Sequence, residues 1–465
     1  MRKYEVGGRR SEYDISIIKF HTYDFSPPHS FSVFLSAYMT IAIILVFILG
    51  YILITLEHPL KVNKAATAII TGVICWVIYI LFTDDKTKVI DQLSHHLGDL
   101  SQILFFLMGA MAIVELIDVH DGFEIITRTI KTTDKRKLLW IIGFLSFFLS
   151  AILDNLTTTI VMVSLVRKLV SDKNDRWILA GLVVIASNAG GAWSPIGDVT
   201  TTMLWIGGQV TAGAIIVKLI LPSLVCLLLP LLLMRFLFKG SIDKPQAEII
   251  HSPVLPKTIR DRNIIFGSGV TVFLMVPVFK TVTHLPPFMG ILIGLGILWI
   301  ITEVMHRDKD ERERRHLSVA YVLEKIDTSS ILFFLGILLA VSALQSAGQL
   351  TGAGTWMNEN LKDQNIIVMS IGVLSSVIDN VPLVAAMQGM YGLDKYPTNH
   401  YFWEFLAYCS GTGGSLLIIG SASGIAAMGI ERIRFFWYLK RITWLALIGY
   451  IGGAIVYILQ EMILR

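Results

Sequence analysis

Charge is scarce in this sequence: Asp, Glu, Lys and Arg make up 16% of its 465 residues, against about 25% in a soluble domain. Cysteine is scarcer still. Cys75, Cys226 and Cys409 all lie in apolar stretches, which argues against a disulfide scaffold or a thiolate metal site and leaves three inert core residues. Met1 to His29 has no apolar core of the signal-peptide kind before Phe31. Zinc-ligand spacing, a P-loop and a nucleophile constellation are all missing, and Gly411-x-Gly413 lacks the strand–turn–helix setting of a nucleotide site. These absences leave no enzyme, no bound cofactor and no nucleic-acid partner to expect.

Long apolar runs are what the sequence has. Hydrophobic residues make up 54% of it, and the mean hydropathy is +0.66. Phe31 to Leu56, Ala65 to Phe82, Ile264 to Phe279 and Ile331 to Leu344 approach the ~17–25 residues of a bilayer-crossing helix. The runs are continuous rather than alternating, so helices are expected and a barrel is not. The lipid bilayer is the expected environment.

The chain repeats itself. Ile103-Leu104-Phe105-Phe106-Leu107 returns as Ile331-Leu332-Phe333-Phe334-Leu335, and Ile152-Leu153-Asp154-Asn155 as Val377-Ile378-Asp379-Asn380. Ser187-Asn188-Ala189-Gly190-Gly191 is echoed by Ser410-Gly411-Thr412-Gly413-Gly414. The order is kept and the offsets drift by a few residues, as loop-length changes would cause. The expected fold is an all-α polytopic membrane protein. It has about ten transmembrane helices, two re-entrant hairpins and two discontinuous helices, arranged as two inverted repeats.

Residues 1–31 form a polar tail. Residues 32–238 form the first repeat, with spans near 32–56, 65–83, 98–118, 177–207 and 212–238, the fourth being broken. Residues 239–261 link it to the second repeat, 262–465, with spans near 262–280, 287–305, 329–349, 400–430 (broken) and 437–462. The hairpins are 138–170 and 365–391. Basic residues flank both ends of the first, Lys135 to Lys137 and Arg167-Lys168, so both ends are expected inside and the polar tip at depth. With five spans per half, the loops placed inside hold a several-fold excess of Lys and Arg over those placed outside, in keeping with the positive-inside rule. Arg2, Lys3, Arg9, Arg10 and Lys19, in a tail placed outside, run against it.

Four polar clusters interrupt the apolar runs: Asp154 to Thr159, Ser187 to Thr202, Ser375 to Pro382 and Ser410 to Ser423. Paired interruptions at matching positions point to a transporter binding site. In the second cluster Gly190, Gly191, Pro195 and Gly197 are expected to unwind the helix and free carbonyl oxygens. With Asn155, Thr157, Thr158, Ser187, Asn188, Thr200 and Thr201 these oxygens suit a hard cation. The partner set is Asn380, Ser410, Thr412, Ser421 and Ser423, with Ser421 where Asp198 lies.

Asp154, Asp198 and Asp379 are expected to converge in one buried pocket, holding Na⁺ or protons, and no Lys or Arg lies within the four clusters. In a low-dielectric site an uncompensated carboxylate favours its protonated form, and a bound cation drives the proton off. Proton and cation then compete, which is what an antiporter needs; three acids would repel an anion. Blander roles compete with these. Asp154 and Asp379 suit helix N-caps, the glycines close helix packing, and the threonines bonds to their own helix. His95 and His96, placed in an outside loop, are candidate pH sensors or simply solvated.

The stretch Ser187 to Trp205, with Asp154-Asn155 and Asp379-Asn380, resembles the NhaD-type sodium/proton antiporters of the ion transporter superfamily, which also holds divalent-anion/sodium symporters. The Asn-Ala-Gly-Gly-Ala-Trp-Ser-Pro-Ile-Gly-Asp run carries the likeness, which extends from Phe31 onward. The symporters have Ser-Asn-Thr at their hairpin tips; here an acid precedes the Asn. The resemblance implies Na⁺ (or Li⁺)/H⁺ antiport by a homodimer with a moving transport domain. Competing readings are a Na⁺-coupled dicarboxylate symporter or metalloid efflux carrier on the same scaffold, and an intramembrane aspartyl hydrolase. The Gly-rich broken helices disfavour the last. A bacterial inner membrane is the default location, an organellar envelope the alternative.

Overall fold

The computed structural model describes residues 29–127, 130, 132–242 and 256–464. The polar tail, and most of the linker between the proposed halves, lie outside the described residues.

Every named element is a helix. The chain opens with α1 (His29–Thr55), the turn α2 (Glu57–Leu60), α3 (Lys64–Leu81) and the long α4 (Lys86–Val119). After the turn α5 (Glu124–Thr127) come α6 (Lys135–Leu153) and α7 (Asn155–Leu169), then α8 (Lys173–Ala192), α9 (Val199–Ile206) and α10 (Ala212–Leu237). The second part has α11 (Pro256–Thr283), α12 (Pro287–Met305), the short α13 (Glu311–His316) and α14 (Val319–Lys325), α15 (Thr328–Ser346) and α16 (Gln349–Leu361). It continues with α17 (Gln364–Leu374), α18 (Asn380–Met390), α19 (Tyr401–Gly413), α20 (Ala422–Glu431), α21 (Phe435–Arg441) and α22 (Thr443–Leu464).

Side-chain caps set most helix starts. Asn63, Asp85, Asp134, Asp172, Thr211, Asp327 and Asp363 each accept a hydrogen bond from a first-turn amide, satisfying donors the helix leaves open. Between caps the apolar runs carry the helix. Among the described residues nine helices are long and apolar enough to cross a membrane: α1, α3, α4, α6, α10, α11, α12, α15 and α22. Large apolar side chains face outward along them, such as Leu45, Leu49 and Ile52 on α1 and Ile293, Ile297 and Ile300 on α12, as a lipid-facing surface requires.

Several boundaries differ from the sequence expectation. The sequence places the third span at 98–118, but α4 starts at Lys86 because Asp85 caps it there. His95 and His96 therefore lie on a helix rather than in a loop. Residues 350–364, read as a loop, are mostly helical as α16. The last span, read as 437–462, divides at Ile442 into α21 and α22.

Both hairpins turn at an aspartate. At the start of α6, Lys135 meets Asp175 of α8 at 2.6 Å, and α8 begins just after α7 ends. Both outer ends of α6–α7 therefore lie on one side, with Asp154 at the far turn. Gln364 and Asn365 at the start of α17 likewise bond Tyr396, in the loop before α19, and Tyr401, its first residue. The hairpin α6–α7 packs on α8, and α17 packs on α19. Around them, α3 packs on α15 and α4 on α12.

Candidate ion-binding site

Four half-helices begin at the centre of this packing, and each has its own cap. Asp154 caps α7: its Oδ1 accepts from Thr157 N at 2.8 Å and its Oδ2 from Thr157 Oγ1 at 2.8 Å. Asp198 caps α9, one oxygen accepting from both Thr200 N and Thr200 Oγ1 at 2.8 Å. Asp379 caps α18 through Val381 N at 3.1 Å, and Ser421 caps α20 through Gly424 N at 3.2 Å. The capping role weighed for Asp154 and Asp379 thus extends to Asp198, since α9 restarts at Val199 and its first amides need an acceptor. Asp154 also carries a φ of +102°, a strained backbone for a residue with a Cβ.

The glycines work mainly by packing. Gly190 and Gly191 stay inside α8, and the break runs from Trp193 to Asp198. A Cβ on Gly190 would stand 2.1 Å from the Phe147 carbonyl oxygen, and one on Gly413 would stand 1.9 Å from that of Gly372. Each glycine lets the first hairpin arm press against a broken helix. Beside each, a hairpin serine bonds a carbonyl of that helix: Ser150 Oγ donates to Ser187 O at 2.6 Å, and Ser375 Oγ to Ser410 O at 2.9 Å.

One buried network joins all four clusters. Asp198 is 1% exposed. Asn155, next to the first hairpin tip, donates to its Oδ2 at 2.7 Å, and Asn380, from the second tip, lies 3.5 Å from both oxygens. Asn155 also donates to Asn188 Oδ1 at 3.1 Å. Asn188 in turn donates to Ser415 Oγ at 2.9 Å and Ser421 Oγ at 3.0 Å.

The three acids do not form one ligand sphere. Among the described residues no group of three His, Cys, Asp or Glu side chains is placed to hold a metal ion. Asp198 is sealed behind the two asparagines, whereas Asp154 and Asp379 line a cavity of about 520 Å³ with Asn155 and Thr157. Each carboxylate caps its own half-helix. The cavity reaches the exposed Asp118, Lys168 and Lys325 at the ends of α4, α7 and α14. Glu115 lines it as well.

The other candidate residues divide by what their hydroxyls do. Thr158 and Ser423 are buried with hydroxyls that have no hydrogen-bond partner among the described residues. Thr201 bonds the Asp198 carbonyl oxygen at 2.8 Å. Ser187 Oγ meets Thr159 Oγ1 at 2.9 Å. Ser410 and Thr412 return their hydroxyls to Leu406 O and Tyr408 O of their own helix, so these are spent. His95 pairs with Asp99 at 3.6 Å and His96 Nε2 lies 3.0 Å from Ser346 Oγ, neither of them lining the cavity.

Sequence reasoning missed Lys64. It lies outside all four clusters at the first position of α3, yet it lines the cavity with Asp154 and Asp379, so that cavity is not clear of positive charge as expected. Its only sequence signal is a lysine in the first turn of a helix, where the dipole disfavours a cation.

Spanning helices, two hairpins and two interrupted helices meeting at buried acids define a polytopic secondary transporter. The citrate transporter family (CitMHS) matches residues 33–403. Sodium/proton antiporter 1 of Arabidopsis thaliana is 46% identical over 91% of this chain and 73% of its own length. Sodium/proton antiporter 2 of the same plant is 44% identical over 89% and 98%. The Na(+)/H(+) antiporter NhaD of Alkalimonas amylolytica is 30% identical over 89% of each chain. The chain belongs to the citrate transporter family and, within it, groups with the NhaD-type sodium/proton antiporters.

Proposed function

We propose that the chain exchanges Na⁺ or Li⁺ for H⁺, the two competing for carboxylate oxygens at Asp198, with Asp154 and Asp379 along the path to it. One observation carries this reading. Asp198 is a buried carboxylate to which both hairpin tips lend amide donors, Asn155 and Asn380, while no Lys or Arg among the described residues bonds to it. Asn and Thr donors hold the carboxylate without neutralising it, so either a proton or a metal cation completes the site. Thr157, Thr158, Thr200, Asn188, Ser421 and Ser423 supply neutral oxygens nearby. The names of the relatives support the same exchange.

The family description favours a second reading, uptake of a citrate-like anion. Helix N-termini do attract anions. Here, however, three of the four N-termini are already capped by aspartates, and an anion would meet their charge first.

We further assign residues 32–238 and 262–465 to two inverted repeats, with the basic loops in the cytoplasm and the cavity opening there. The resemblance to the NhaD-type antiporters adds a homodimer with a moving transport domain. With plant proteins among its relatives, a bacterial inner membrane is no longer the default over an organellar envelope.

The test is reconstitution in vesicles with a lumenal pH dye under an imposed pH gradient. Na⁺ or Li⁺ is expected to dequench the dye, K⁺ and a dicarboxylate are not, and Asp198→Asn is expected to abolish the response. A dicarboxylate response, or an Asp198→Asn protein that still exchanges, overturns the reading.

A further inference from the structure

The cavity holds a cation of its own. Lys64 is half-buried, and its ammonium sits 4.6 Å from the centroid of the Phe333 ring on α15. An interfacial lysine anchoring a helix would reach outward to lipid headgroups; this one rests on the buried Phe333 ring, and the residue lines the cavity that Asp379 also lines. No carboxylate among the described residues pairs with it directly. Its charge nonetheless acts on Asp379. A flexible ammonium resting on an aromatic face near an acid is held weakly enough to move.

We propose that Lys64 is a tethered competitor of the transported cation, offsetting the Asp379 charge while the path is empty of metal and withdrawing over Phe333 when a metal ion enters. This rests on the exchange reading above. Lys64 is then a specificity-determining residue: it sets how much Na⁺ is needed for entry, and it keeps Asp379 from holding the ion too tightly for release. Removing the charge strengthens Na⁺ binding at Asp379 and slows the ion's departure.

The experiment uses full-length protein in vesicles at one alkaline pH, comparing wild type with Lys64→Gln, Lys64→Met and Lys64→Arg. A unit charge several ångströms from the ion, partly screened, is expected to change KM for Na⁺ by about tenfold. Both neutral variants should therefore show a KM about tenfold lower, with kcat reduced, while Lys64→Arg keeps the charge and stays within about twofold of the wild-type KM. Na⁺-dependent thermal stabilisation of the purified variants should show the same shift in midpoint without relying on transport. In an Asp379→Asn background, Lys64→Gln should change that midpoint little, because the two residues act as a pair. An unchanged or raised KM in both neutral variants, or a loss in Lys64→Gln that Lys64→Arg shares, overturns the role of Lys64 while leaving exchange intact. A wild-type protein without any Na⁺ response sinks the exchange reading itself.

Discussion

The two broken helices share a geometry and differ in charge. In each, a glycine admits the neighbouring hairpin arm, Gly190 against Phe147 and Gly413 against Gly372. In each, a hairpin serine bonds a carbonyl of the broken helix, and a polar residue caps the restarted half. The caps differ: Asp198 in the first, Ser421 in the second. A hydroxyl caps an amide as well as a carboxylate does, so the scaffold does not require the acid. Asp198 is explained by the charge it brings to the site, whereas Ser421 caps its helix and adds only a neutral oxygen. The hairpin tips differ in a second way. Asp154 is held twice by Thr157 on a strained backbone, while Asp379 has a single amide and shares its surroundings with Lys64.

The sharpest way to break this comparison is to remove each cap. Asp198→Asn should abolish Na⁺-driven exchange, a loss of at least about 100-fold that takes it to background, the cost of losing a buried charged ligand. Ser421→Ala should stay within about tenfold, the loss of one net hydrogen bond. Initial rates of dye dequenching measure both, and comparable losses would erase the distinction drawn here. Next come the shared contacts. Gly190→Ala and Gly413→Ala each push a methyl into a backbone carbonyl and should each destabilise the protein by ~1–3 kcal/mol. Thermal unfolding in detergent reads this, and tolerance at one position but not the other would show that the packing is not shared.

Asp154→Asn and Asp379→Asn should each raise KM for Na⁺ by about tenfold while leaving unfolding near wild type, since an amide oxygen still caps the helix. A collapse of stability in either would assign that acid to the fold instead. The smallest effect lies away from the site. His120, just past the end of α4, has its Nε2 2.9 Å from that of His306, past the end of α12. Burial holds His120 below the ordinary histidine value, with smaller effects from its bond to Leu116 O and from Lys309, Asp261 and Asp121. The folded state therefore takes up this proton later than the unfolded chain. Its contribution is complete above about pH 6.5 and fades as the pH falls toward the depressed value. His120→Phe should flatten the acid limb of the unfolding curve between pH 7 and 5, and an unchanged limb would exclude the pair as its source.

Much of this fold was legible in the sequence because a bilayer leaves few choices. Continuous apolar runs between capping residues must be helices, and α3, α10, α12 and α15 fall within a few residues of the stretches read as spans. The interruptions were legible because polar clusters are conspicuous in apolar surroundings. The start of α4 was not, since Lys86 to Gly98 is polar and only the cap at Asp85 marks it as helical. Asp154, Asp198 and Asp379 could be picked out by chemistry alone, but not their separation into one sealed acid and two that line a cavity. Ser410 and Thr412 looked equivalent to Ser421 and Ser423, yet their hydroxyls are taken by their own helix.

By itself, then, the sequence determined that the chain crosses a membrane many times and interrupts its helices at four polar clusters. Apolar length and backbone hydrogen bonding settle those points locally. Only the tertiary structure decided which oxygens meet, that Asn155 and Asn380 reach Asp198 from opposite hairpins, and that Lys64 enters the cavity from a distant helix. Those relations depend on how helices far apart in the chain pack, and no local pattern encodes that distance.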